Sequence, residues 1–231
     1  MLNVASYKTG PVVVCLSLLL AACATESEKQ AEKQEETRAT ADAAAASLTR
    51  FLRDPDMPWL RQNISKARAV MSCPNIFQAG FIVGGSGGRC IVVARTAAAP
   101  GWNGPASYRI TTGSIGLQAG AQSSEMVALV MTEKALNSLL SNSFKLGADV
   151  SVAAGPVGSG AGSQINADIV SFVRSKGLYG GLNIDGSVIT IDEEGNRALY
   201  GRPVTPVDIL VKGSVRGSGT SIIRALEGAG S

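Results

Sequence analysis

The stretch Phe144–Gly158, FKLGADVSVAAGPVG, carries an apolar residue at every second position: Phe144, Leu146, Ala148, Val150 and Val152. Lys145, Gly147, Asp149, Ser151 and Ala153 stand between them. Side chains alternate across a strand, whereas a helix face repeats every third or fourth residue. The period therefore predicts a half-buried strand with one apolar face and one small or polar face. Gly155, Pro156 and Gly158 predict where it ends, because proline cannot donate to a ladder and glycine reaches turn dihedrals.

The same alternation runs through Ser107 to Gln122, where Ile115, Leu117, Ala119 and Ala121 oppose Gly116, Gln118, Gly120 and Gln122. Val70–Ser72, Phe81–Val83 and Ile91–Ala94 are short apolar runs, and Gly84-Gly85-Ser86-Gly87-Gly88 between the last two reads as a hairpin connection. Met126 to Met131 is apolar throughout and predicts a strand buried on both faces. Ile169–Val173, Leu182–Ile184 and Val188–Ile191 add strands, with Asp185-Gly186 as a turn.

Helical spacing appears in Ala41–Arg53, in Trp59–Arg68 and in Glu133–Leu140, the last capped by Thr132. Further helical patches lie near Glu193–Tyr200, Pro206–Leu210 and Ser221–Leu226. Many strands with few helices between them predict an α+β fold: a curved or barrel-like antiparallel β-sheet with N-terminal and peripheral helices. The 27 glycines among 231 residues fall between these apolar runs, which favours close backbone packing over disorder.

The chain has no histidine, which removes the commonest general base and the commonest metal ligand. Its net charge of +3 is too small to suggest nucleic-acid binding. Gly84–Gly88 formally satisfies the nucleophile-elbow pattern, yet a Ser-His-Asp triad needs a histidine. Gly155–Ser163 lacks the lysine of a phosphate-binding loop, and Cys73 and Cys90 are too few for a zinc site. Asp192-Glu193-Glu194 fits a helix start. No catalytic residue, metal or cofactor is expected.

At the amino terminus, Val12–Leu20 is too short an apolar run to span a bilayer and has the layout of a signal-peptide core. Leu20-Ala21-Ala22-Cys23 resembles the bacterial lipoprotein signal, in which the cysteine is lipidated and becomes the first residue of the mature chain. The alternative is a secretory signal cut near Ala24. That resemblance implies an envelope protein with more than one acyl chain, hence stable attachment. Ala24 after the cysteine favours the outer membrane, facing the periplasm. Cys73 and Cys90 are then free to pair in an oxidising compartment, provided that their Cα atoms lie within about 7 Å.

The expected organisation is a signal peptide over 1–22, a polar tether over 23–40, a domain over 41–211 and a C-terminal tail over 212–231. The two basic helices of 41–68 suit either a membrane surface or a cover for the sheet.

Ala79–Gly85 (AGFIVGG), Ser114–Gly120 (SIGLQAG), Phe144–Gly158 and Arg174–Ser187 (RSKGLYGGLNIDGS) together resemble the SYLF domain, over roughly residues 45 to 211. The family pattern favours tyrosine where Phe172 stands and glycine near Cys90. The resemblance implies a non-enzymatic module that contacts phospholipid. Its basic motif maps to Arg174 and Lys176, which suit a headgroup phosphate or structural pairing with Asp149 or Asp168. Two further readings follow from the residues: an envelope protein that binds a protein partner while lipid only anchors it, and a small-ligand carrier with a cavity inside the sheet.

Overall fold

The computed structural model describes residues 12–80, 83–96, 99–115, 120–158, 165–176, 184–215, 217 and 219–228. Its strands are β1 (Ala69–Gly80), β2 (Val83–Thr96), β3 (Ala99–Ile115), β4 (Gly120–Val130), β5 (Ser143–Lys145), β6 (Val152–Ala154), β7 (Ile169–Lys176) and β8 (Val188–Ile191). They form one sheet in the order β5-β8-β3-β2-β1-β4-β7-β6. All neighbours are antiparallel except β6 and β7.

That order forces curvature. β5 and β6 sit at opposite edges, yet only residues 146–151 join them. A flat sheet would hold those edges about 34 Å apart at about 4.8 Å per strand, while the connection reaches about 24 Å at full extension. Leu146 and Val150 even form a bridge across the gap. The sheet curls into a half-barrel with its edges drawn together, as the sequence predicts for the fold class.

The stretch that predicts one strand is this closing seam instead. Gly147 takes φ +82°, and the Asp149 carboxylate accepts the Lys145 N–H at 2.6 Å. An aspartate that bonds its own neighbouring backbone competes with the ladder, and here it wins. Phe144, Leu146 and Val150 still point into the core; Ala148 is exposed.

The predicted hairpin at Gly84–Gly88 is also corrected, since these residues lie inside β2. Glycine serves there by absence of a side chain: a Cβ on Gly88 would stand 2.4 Å from the Asn75 carbonyl oxygen. The adjacent β1 is irregular between Ser72 and Asn75, where Pro74 removes a ladder donor. The run Ser107–Gln122 is not one strand either. β3 ends at Ile115 and β4 begins at Gly120, and residues 116–119 lie outside the described residues, as do Phe81, Ile82 and Leu182.

Both faces of the sheet are covered. On one, Met71, Cys73, Ile76, Val92, Tyr108, Ile110 and Met126 pack with Leu136 and Leu139 of α3 (Glu133–Leu139) and with Ile209 and Leu210 of a π-helical turn. On the other, Val70, Ile91, Val93, Val127, Leu129, Val170 and Phe172 meet α1 (Val12–Arg53), α2 (Pro58–Asn63) and α5 (Ser221–Glu227). Hence Met126–Val130 shows no alternation, as predicted for a strand buried on both sides.

Cys73 and Cys90 form a cross-strand disulfide, with Cα atoms 4.1 Å apart and a sequence separation of 17. Closing a loop of that length restricts the unfolded chain by about 3 kcal/mol. The C73A/C90A variant is expected to lose about that much in urea unfolding. An unchanged midpoint would show that the bond does not stabilise the fold.

α4 (Glu193–Tyr200) starts where the acidic run predicts, with the Asp192 carboxylate accepting the Gly195 N–H at 3.3 Å. Residues 23–40 are helical. α1 runs through them, and Thr37 is already buried against the domain. Residues 212–231 contain α5, whose Ile222 and Leu226 enter the core.

Candidate functional site

Charged and amide side chains form a row across five adjacent strands. Arg109 of β3 pairs in register with Arg89 of β2, and Arg89 pairs with Asn75 of β1. Glu125 of β4 pairs with Arg174 of β7, on the far side of the irregularity in β1.

Helix α1 lies along this row, and ion pairs of alternating sense fix it there. Glu36 meets Arg89 at 2.6 Å, Arg50 meets Glu125 at 2.6 Å, and Asp54, just past the helix, meets Arg174. Ser72 adds a hydrogen bond to the Ala44 carbonyl at 2.9 Å. Sliding α1 until Arg50 met Arg174 would set like charges together, so the row specifies the helix's register on the sheet. The Arg89 guanidinium holds the Glu36 carboxyl below its ordinary range. Asp192 is buried among Arg89, Arg109 and Ser107, which joins α4 to the same network.

Of the predicted headgroup pair, Arg174 falls on this row. Arg174 pairs with neither Asp149 nor Asp168. Its guanidinium bonds Asp54 and lies 4.8 Å from the Phe51 ring centroid, so its charge is matched within the fold. Lys176 ends β7 opposite Ser123, and its side chain lies outside the described residues. Asp149 closes the seam turn. Asp168 accepts from Ser151 and Thr132, and the Ser151 backbone N–H leads in lowering its carboxyl to about 2. Cys23 lies in the backbone of α1, its side chain outside the described residues.

Phe172, where the family pattern has tyrosine, is buried 5.9 Å from the Trp59 ring. Gly155 lies against it: a Cβ there would stand 2.2 Å from the ring. Cys90, at the other departure from the pattern, is half of the disulfide.

Cations gather instead at the start of β1, the end of β2 and the end of α1. Arg53, Arg61, Lys66 and Arg68 are exposed. Arg61 donates to the carbonyl oxygens of Leu52 and Asp54, which secures the end of α1. Arg95 stacks 4.2 Å over the Trp102 ring and donates to the Ser65 carbonyl, while its own N–H reaches the Arg68 carbonyl at 2.8 Å. Arg68 pairs with Glu133 at 3.2 Å, and Lys66 reaches Asn63 at 3.1 Å. Only the helix cations are visible to sequence reasoning. Arg95 sits at the end of an apolar run, and β2 returns it to Arg68.

A second surface lies on the other side of α1, toward the ends of β1–β4. Phe77 is 57% exposed there, beside Ala79, Gly85, Thr111, Gly113 and Ala121, none of them charged. Among the described residues no group of histidine, cysteine, aspartate and glutamate could hold a metal ion.

The fold defines an α+β half-barrel domain barred by a long helix. Residues 111–229 match the family described as Ysc84: Las17-binding protein actin regulator, and the chain belongs to this Ysc84/SYLF family. It is 30% identical over 161 residues to LAS seventeen-binding protein 3 of Saccharomyces cerevisiae, covering 67% of this chain and 35% of that protein. It is 28% identical over 151 residues to human SH3 domain-containing YSC84-like protein 1, covering 63% of this chain and 43% of that protein. The chain thus spans about a third to under a half of the length of these relatives. Neither relative is named as an enzyme. No solved structure matches the chain.

Proposed function

We propose that this is a lipid-anchored protein of a bacterial cell envelope, held at Cys23 in the outer membrane and facing the periplasm, whose non-enzymatic domain contacts anionic phospholipid. The observation that carries the lipid contact is the cluster of Arg53, Arg61, Lys66, Arg68 and Arg95 at one end of the domain. A basic surface gains about 1 kcal/mol per cation at an anionic bilayer, and the gain is screened by salt. The apolar stripe of α2 is spent on the core: Trp59 and Leu60 are buried. The contact is therefore one of charge rather than insertion of that helix.

Liposome co-sedimentation of the unlipidated chain from Ala24 tests the reading. Pelleting is expected with phosphatidylglycerol vesicles at low salt, falling as salt rises. The R53Q/K66Q variant removes two charges, worth about 2 kcal/mol or about 30-fold in affinity. No pelleting at low salt removes the lipid contact.

The second reading is a protein partner. The matched family and the yeast relative are both named for binding Las17, and the uncharged face around Phe77 is the surface that suits such contact. Cross-linking in intact cells that captures one partner, lost in F77D, would favour it.

A further inference from the structure

The anchor and the basic surface stand at opposite ends of one rigid element. α1 runs unbroken from Val12 to Arg53. Cys23 and Arg53 are therefore about 45 Å apart at about 1.5 Å per residue. The helix cannot fold back between them, because its second half is pinned by the Glu36–Arg89 and Arg50–Glu125 pairs and by the burial of Ala41, Ala44, Leu48 and Phe51. The Arg61 bonds to carbonyls at its end then tie the basic cluster to the helix terminus.

Charge divides along the same axis. Between Ala24 and Arg38, five glutamates face Lys29, Lys33 and Arg38, a net of −2. At the other end, residues 53–68 hold Arg53, Arg61, Lys66 and Arg68, all exposed, against Asp54 and Asp56, a net of +2. If α1 lay flat on an anionic membrane, its acidic half would be brought to the surface and repelled. With the helix upright, the acidic half stays with the anchor and the basic end is carried outward.

We infer that the basic end engages an anionic phospholipid bilayer opposite the anchoring membrane, so that the protein bridges two lipid surfaces. This rests on the proposed function above: the acyl anchor at Cys23 and the lipid contact at the basic end. α1 serves as the spacer, and the row of ion pairs keeps that spacer aligned with the domain. A flexible tether would let the basic end return to its own membrane; a docked helix does not.

The test uses the full acylated protein reconstituted into phosphatidylcholine vesicles, then mixed with separately labelled phosphatidylglycerol vesicles. Light scattering and energy transfer between the two labels read docking without fusion. Docking is expected at low salt, and R53Q/K66Q is expected to weaken it about 30-fold. A control reconstitutes the protein into phosphatidylglycerol vesicles alone and measures protection of a label placed at Lys66. If the unlipidated chain pellets with phosphatidylglycerol vesicles but the acylated protein docks none, and Lys66 is protected on its own vesicle, bridging is overturned and the lipid contact stands. If the unlipidated chain does not pellet, the lipid contact itself has failed.

Discussion

A fragment of residues 41–211 is expected not to unfold cooperatively, whereas the chain from Ala24 to Gly228 is. Those boundaries follow the change in composition along the sequence, but the packing crosses them. The fragment loses α5, whose Ile222 and Leu226 are buried in the core beneath α1. It also loses the Glu36–Arg89 pair, the buried Thr37 and the Ser221–Asp42 hydrogen bond. Each buried aliphatic side chain removed costs about 2–5 kcal/mol. Two of them rival the whole stability of an ordinary domain, about 5–15 kcal/mol. Urea unfolding followed by circular dichroism checks this. A sigmoidal transition at the same midpoint as the longer chain would mean that α5 and the start of α1 are dispensable.

Arg50→Ala is the point substitution expected to cost most on the charge row, about 3–5 kcal/mol. The Glu125 side chain is 2% exposed, while that of Arg50 is 49% exposed. Removing the arginine takes the guanidinium from a buried carboxylate; removing the carboxylate leaves the arginine in water. The two halves of the pair are thus unequal, although the bond is shared. E125Q keeps the volume and a hydrogen-bonding oxygen for Ser47, which donates to Glu125 at 3.3 Å in the native chain. The double variant R50A/E125Q is therefore expected to be more stable than R50A alone. If the two melt together, burial of charge is not the reason for the loss.

The Thr132 cap of α3 and the Asp192 start of α4 were readable because capping is local: Thr132 accepts the Ala135 N–H at 3.2 Å, a few residues away. Met126–Val130 was readable because burial on both faces removes the alternation. Gly84–Gly88 misled because glycine signals a turn by its dihedral freedom and a close approach by its missing side chain, and composition cannot tell these apart. Arg174 was visible as a cation, but Asp54, which holds it, is 120 residues away in sequence. The cation cluster shows the same limit, since Arg95 joins Arg68 only through the pairing of β1 with β2.

The α+β class, the short-range caps and turns, and the family pattern in the glycine-rich strands were all readable from the order of residues. These depend on period and on contacts within a few residues, which the order of side chains encodes directly. That Phe144–Gly158 is a seam rather than a strand follows from the folded sheet alone. Its alternation is real, and Phe144, Leu146 and Val150 are buried as it requires. What breaks the strand is the Asp149–Lys145 turn, favoured because β5 and β6 must join opposite edges of one curled sheet. Likewise, α1 could be read as a helix, but its place across the sheet came from charges on separate strands. That alignment exists only once the ladder has set their register.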